Sequence, residues 1–235
     1  MTDIGIARSE RVELAVAPWR WPFAETRRIE IDRHFEALKR SKPRVWNGRM
    51  LLLRRHVQLD AAFRGVCFET DYANFIAWRD WGFPDDGVKI CFGMGALRGC
   101  DGPFLLGVMG EQTANAGGVY FPAGMLDPTD VADDAVDIAG NVLREVAEET
   151  GLTPADYEQE PGWYTVFAGA RIAQIKVLQG RETAAALRGR VLDYLARTRE
   201  PELADIRIVA GRSDLDPKMP PHVTAFLDHA WSRVQ

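Results

Sequence analysis

The chain has 235 residues, 46% hydrophobic and 27% charged, which is ordinary for a globular protein and long enough for a full core. Its formal net charge of −5 lacks the basic footprint that broad nucleic-acid binding needs, and no apolar run approaches the ~18 residues of a membrane span. The start, MTDIGIARSE, has no apolar signal core, and Cys67, Cys91 and Cys100 are odd in number without metal-site spacing. These features predict a cytoplasmic protein with buried thiols and no membrane or nucleic-acid partner.

In chain order, Arg27 to Asp32 alternates like a strand, and His34 to Arg40 reads as a short helix. Arg44 to Asp60 carries the run Met50-Leu51-Leu52-Leu53 beyond an Asn47-Gly48 turn, the pattern of a hairpin. Ala62 to Glu69 reads as a strand and Tyr72 to Trp81 as a short aromatic helix. Asp85-Asp86-Gly87 punctuates the chain before two apolar stretches of strand length, Val88 to Met94 and Pro103 to Met109. Trp163 to Phe167 and Arg171 to Val177 are further strands. Glu182 to Arg197 is a helix with Leu187, Val191, Leu192 and Leu195 on one side, and Ile206 to Val209 a short strand. Pro221 to Arg233 closes the chain as a helix with proline near its start. Strands interrupted by helices predict an α/β or α+β layer fold, and no internal repeat is present.

The most informative stretch is Arg144-Glu145-Val146-Ala147-Glu148-Glu149-Thr150-Gly151-Leu152. At about 100° per residue, Glu145, Glu148 and Glu149 fall within one arc of a helix that stops at a glycine. Ala139, Val142, Leu143 and Val146 take the opposite side, so the helix can bury one face and present carboxylates on the other. Like charges three and four residues apart repel by a few tenths of a kcal/mol per pair, so the cluster points to a countercharge. Hard divalent cations favour such oxygen ligands, and Mg²⁺ commonly combines carboxylates with substrate phosphates.

REVAEETGL resembles the box of the Nudix hydrolase superfamily, R-E-U-x-E-E-x-G-U with U bulky aliphatic, at every fixed position. Gly118-Val119-Tyr120-Phe121-Pro122-Ala123-Gly124 is similar to the strand and glycine loop that open that box. One departure is plain. The usual spacing G-x5-E-x7-R is stretched here, because Asp130 follows Gly124 after five residues and thirteen more precede Arg144. The box is interrupted over Val131 to Gly140, and Asp130, Asp133, Asp134 and Asp137 all stay open for its first acidic position. The resemblance covers residues 87–235 and implies a mixed β-sheet sandwiched between helices, with 1–86 as an N-terminal extension packed on that core.

By motif position the resemblance implies Mg²⁺ or Mn²⁺ held by the Gly124 carbonyl, Glu145, Glu148 and Glu149, with Arg144 pairing to a glutamate and fixing its rotamer. It implies hydrolysis of a P–O–P linkage in a nucleoside diphosphate linked to another moiety, a small-molecule substrate. Glu145 is a candidate to take the proton of the attacking water; Glu111, Glu200 and Glu202 are unranked alternatives outside the box. The expanded box with Phe121-Pro122-Ala123-Gly124 and Leu126-Asp127-Pro128 keeps coenzyme A and its esters as an alternative substrate class. A non-catalytic ligand-binding module is the alternative of another kind. A homodimer stays open, and no substrate-binding residue is assigned.

Several other features are weighed and set aside. Gly93-Met94-Gly95-Ala96-Leu97-Arg98-Gly99 looks like a dinucleotide turn, but its third glycine is one residue late and Cys100-Asp101-Gly102-Pro103 forbids the helix that must follow. His222 and His229 share the terminal helix and read as packing or surface residues. The tryptophans, among them Trp19, Trp21, Trp46, Trp78, Trp81 and Trp163, read as core. Arg171, Arg207 and Arg212 could grip phosphate, with no spacing to single one out. Asp130 reads as a surface or turn residue in a loop, and Asp130→Asn is expected to cost much less than loss of a box glutamate.

Overall fold

A computed structural model describes residues 4–43, 45–113 and 115–232. The N-terminal part contributes β1 (Ile4–Ser9), β2 (Arg11–Val16), α1 (Pro22–Thr26), α2 (Arg28–Ser41), β3 (Arg49–Gln58), β4 (Ala62–Asp71) and α3 (Tyr72–Asp80). Next come β5 (Ile90–Arg98), β6 (Phe104–Met109), β7 (Val119–Tyr120), β8 (Ala123–Met125), β9 (Val131–Ala132), β10 (Ala135–Val136) and α4 (Ile138–Thr150). The remainder is β11 (Tyr157–Gln159), β12 (Trp163–Ala168), β13 (Arg171–Gly180), α5 (Ala184–Leu195), β14 (Leu203–Val209) and α6 (Pro221–Ser232). Arg44, at the head of the expected hairpin, and Arg233, at the end of the expected terminal helix, lie outside the described residues.

The predicted α/β layering is present. A nine-stranded mixed sheet runs β1-β12-β13-β5-β6-β14, with β11 on β13, β7 on β6 and β8 on β5. Its parallel pair is β13 with β5. Strand β5 is buried along nearly its whole length, as a central strand covered on both faces must be. Val142 and Val146 of α4 and Leu187 and Val191 of α5 pack on one face with Leu97, Leu105 and Leu178. Val223 and Phe226 of α6 pack on the other with Phe92, Met94 and Phe104. Gly93 and Gly95 have their reason here. A Cβ at either would overlap Val142 or Val146, so the glycines let α4 lie close on β5 rather than opening a phosphate turn.

A second, five-stranded sheet runs β3-β4-β2-β10-β9. The two sheets exchange strands across the expected boundary at residue 86. Strand β1 closes the edge of the large sheet, pairing antiparallel with β12 from Ile4↔Ala168 to Ser9↔Trp163. In return β10, from inside the interrupted box, pairs with β2 at Ala15↔Ala135. Among the described residues no helix is long and apolar enough to cross a membrane.

Two expectations are corrected. Arg27 to Asp32 is not a strand but the start of α2. Ile29 and Ile31 alternate with charges, yet Ile29 is 66% exposed while Ile31 and Phe35, one helical turn apart, are buried. The four-residue spacing to Phe35 outweighed the two-residue one. Asn47-Gly48 does not turn a hairpin either. The Asn47 side chain accepts from the Ala73 N–H and the Gly48 carbonyl from the Tyr72 N–H, both at 2.8 Å, so the pair holds the start of α3. The hairpin joins β3 to β4, with Gln58 opposite Phe63.

Candidate active site

Helix α4 begins where the Asp137 side chain accepts from the Gly140 N–H at 2.8 Å, a local cap. It ends at Gly151, whose φ of 70° is the left-handed conformation that glycine enters freely. Ile138, Val142 and Val146 face the sheet. The glutamates do not share one environment, as a simple amphipathic helix would have given. Glu148 is 60% exposed at its side chain, Glu145 16%, and Glu149 is buried against the sheet. The acidic arc therefore descends from solvent into the core.

Strand β8 lies across that descent. Gly124 pairs with Gly93, and a Cβ on Gly124 would overlap the Glu145 carboxylate, so the absence of a side chain is what lets Glu145 lie there. The Glu149 Oε1 accepts from the Ala123 N–H at 3.2 Å, while its Oε2 is buried with no hydrogen-bond partner. Burial, opposed by the Ala123 bond and reinforced by the charges of Glu202, Glu145 and Glu148, pushes the Glu149 carboxyl up to about 8. Glu145 is also raised, first by burial, with Arg144 opposing and Glu148 and Glu202 reinforcing. Glu202 lies before β14, where its carbonyl accepts from the Gly110 N–H at 2.8 Å.

Arg144 is the hub. It reaches Glu145 Oε1 at 2.8 Å, Glu148 Oε2 at 3.2 Å and Asp130 Oδ1 at 3.1 Å. Asp130 is buried in a short 3₁₀ turn, Pro128–Asp130, and its other oxygen accepts from the Asp127 N–H at 3.0 Å and from Asn141 Nδ2 at 3.1 Å. Of the four aspartates open for the first acidic position, Asp130 is the one on Arg144. Asp133 and Asp134 form the tip of the β9–β10 hairpin, with φ of 50° and 60°, and Asp137 caps α4. The interruption is thus a β-hairpin looped out between Asp130 and the helix. Asp130 is buried and bonded at both oxygens rather than lying on the surface as expected, and Asn141 carried no sequence signal at all.

The residues expected to hold a divalent ion, Gly124, Glu145, Glu148 and Glu149, are brought to one end of α4. Among the described residues no three His, Cys, Asp or Glu side chains gather at metal-ligand spacing, because Glu145 and Glu148 are both turned to Arg144. The donor set still suits a hard cation. It is all oxygen, it includes a buried carboxylate oxygen without a partner, and Mg²⁺ characteristically completes its shell from substrate and water.

The chain matches no family model and no curated protein sequence. Solved structures with similar folds include a MutT protein from Methanosarcina mazei Go1, at 22% identity over 63% of this chain and 96% of that one, TM-score 0.41. A Nudix hydrolase from M. smegmatis, RenU, is 13% identical over 62% and 84%, TM-score 0.39. A Nudix hydrolase from Nitrosomonas europaea is 16% identical over 62% and 90%, TM-score 0.41. Likenesses at this level assign no chemistry to this chain.

Proposed function

We propose that this chain hydrolyses the P–O–P linkage of a nucleoside diphosphate joined to another moiety, using Mg²⁺ or Mn²⁺ at Gly124, Glu145, Glu148 and Glu149. The observation that carries this is the buried Glu149 carboxylate, with one oxygen unused, beside the Gly124–Glu145 contact. Burying such a group is costly unless something compensates it, and a divalent cation beside an anionic substrate does so. A bound ion would neutralise diphosphate oxygens and lower the pKa of a coordinated water. The protein's own part is positional. Asn141 fixes Asp130, Asp130 fixes Arg144, Arg144 fixes Glu145 and Glu148, and the Ala123 N–H fixes Glu149. Glu145 is the candidate proton acceptor within the box, with Glu202 facing it electrostatically from outside.

Residues 87–235 hold every group in this scheme, and 1–86 serve as structural support. Turnover of a panel of nucleoside diphosphate conjugates, coenzyme A included, with Mg²⁺ and with Mn²⁺ tests the assignment. Loss of turnover in Glu145→Gln and Glu149→Gln supports it. Folded variants that keep near-normal rates, or a panel that is bound and never cleaved, would hand the site to a ligand-binding module.

A further inference from the structure

The N-terminal part holds a cleft of about 470 Å³ that none of the candidate metal ligands lines. Its walls come from α1 and the residues before it, and from the place where β4 runs into α3. These belong with the cluster of Trp21, Phe68 and Trp78, whereas α4 packs in the other core cluster. The cleft has the size of a small-molecule site, roughly 300–1,000 Å³. Two buried polar side chains line it. Thr70 and Asn74 are 5% and 9% exposed, and Asn74 Nδ2 donates to the Thr70 hydroxyl at 3.0 Å. That bond uses the amide nitrogen and leaves Asn74 Oδ1 with no donor among the described residues. A buried amide oxygen is costly to leave unpaired, so it asks for an N–H or O–H from whatever fills the cleft.

Trp19 supplies an aromatic wall. Its half-buried ring packs edge-to-face with Phe68 at 4.7 Å, and Arg54 lies over it at 5.1 Å. Trp19 lines the cleft and Arg54 does not, so the ring offers the cleft a surface that the arginine leaves uncovered. The Trp19 indole N–H has no acceptor among the described residues, unlike that of Trp21, which donates to Asp85 at 2.7 Å. The charges around the cleft are already paired. Arg49 reaches Glu69 at 2.5 Å and Asp71 at 2.7 Å, Arg20 reaches Glu25 at 2.5 Å, and Arg28 reaches Asp32 at 3.4 Å. An ionic ligand would have to break these pairs. A neutral one leaves them intact.

We propose that this cleft binds a nucleoside whose base carries an exocyclic amine, with the base against Trp19 and the amine donating to Asn74 Oδ1. A nucleobase is planar and uncharged, its π face stacks on aromatic side chains, and its amine supplies the missing donor. A saturated sugar lacks the π face, and an apolar ligand lacks the N–H. The net charge of −5 and the paired arginines favour a free nucleoside over a nucleic-acid strand. The site stands apart from the hydrolase assignment, because neither the box glutamates nor Gly124 lines the cleft.

Adenosine titrated into the full chain without added metal, followed through the Trp19 indole N–H signal by NMR, tests this; Trp19→Phe assigns the signal. A saturable shift is expected. Purine riboside, which is adenosine without its exocyclic amine, should bind about tenfold or more weakly, because the buried Asn74 oxygen then stays unpaired. In Asn74→Ala that preference should shrink to within about twofold. No saturable shift at Trp19, or equal binding of adenosine and purine riboside, overturns the site. Glucose binding as tightly as adenosine overturns it too. If Asn74→Ala fails to fold, the two nucleosides on the wild-type chain decide alone. Turnover is not read in this titration, so the rates of the box variants judge the hydrolase assignment separately.

Discussion

Among the described residues, Asp130 and Glu149 are the two carboxylates taken furthest from water, and the fold uses them differently. Both oxygens of Asp130 are engaged, by Arg144 on one and by Asn141 and a backbone N–H on the other, so Asp130→Asn should release Arg144 and cost about 1–3 kcal/mol in a urea melt. Turnover should fall with it by roughly tenfold, since Arg144 positions Glu145 and Glu148. Unchanged stability and rate would mean that Arg144 needs no anchor. Glu149 keeps an oxygen unused. Glu149→Gln, like Glu145→Gln, should lower kcat by at least ~100-fold, about 2.7 kcal/mol of transition-state stabilisation. Metal-free thermal stability should hold or rise, because a buried carboxylate is removed. His222 sets a pH dependence. Its pKa falls from 6.5 in the unfolded chain to about 4 when folded, so the unfolded state binds the proton first as pH drops. Stability is therefore full above about 6.5 and lost as pH falls toward 4, at up to ~1.4 kcal/mol per pH unit. Denaturant midpoints measured in a non-phosphate buffer should show this slope in the wild type and less of it in His222→Leu.

The contact between α4 and β5 sets where the glutamates end up. Val142 and Val146 fit into the space left by Gly93 and Gly95, so the helix lies low enough for Glu149 to reach the Ala123 N–H. Gly95→Ala places a methyl against Val146, and overpacking of this kind costs about 1–3 kcal/mol. A shifted helix should also degrade turnover, which separates this variant from a surface change of equal stability. Equal melting temperature and equal kcat would show that the helix has slack. The β9–β10 hairpin explains how a stretched box keeps its geometry: the inserted residues pair with each other and with β2, so both ends of the insertion stay close to Arg144.

Strand exchange ties the two parts of the chain together, so they should unfold as one cooperative unit. Without residues 1–86, β12 loses its edge partner and the cluster holding Cys91, Leu97 and Ile172 loses Leu14, Leu51, Leu53 and Phe63. A fragment of residues 87–235 should therefore fail to give a sharp thermal transition and should elute as aggregate on gel filtration. A monodisperse fragment that melts cooperatively and turns over substrate would show that the support is dispensable.

The spacing of Arg144, Glu145, Glu148, Glu149 and Gly151 was enough to predict a capped acidic helix behind a glycine strand, because helix periodicity and glycine caps are local rules. Strands β4, β5, β6, β12, β13 and β14 were readable as apolar runs of strand length, whereas β1, β2, β9, β10 and β11 were not. Local rules misjudged Arg27 to Asp32, where burial of Ile31 and Phe35 on one face chose helix, and Asn47-Gly48, whose turn chemistry holds the start of α3. They could not choose among four aspartates or bury Glu149 while leaving Glu148 in water. Each of those outcomes depends on which surface meets the side chain: Asn141 and Arg144 at Asp130, the β8 backbone at Glu149. Burial and charge pairing are properties of packed neighbours, and only the assembled sheets and helices supply them.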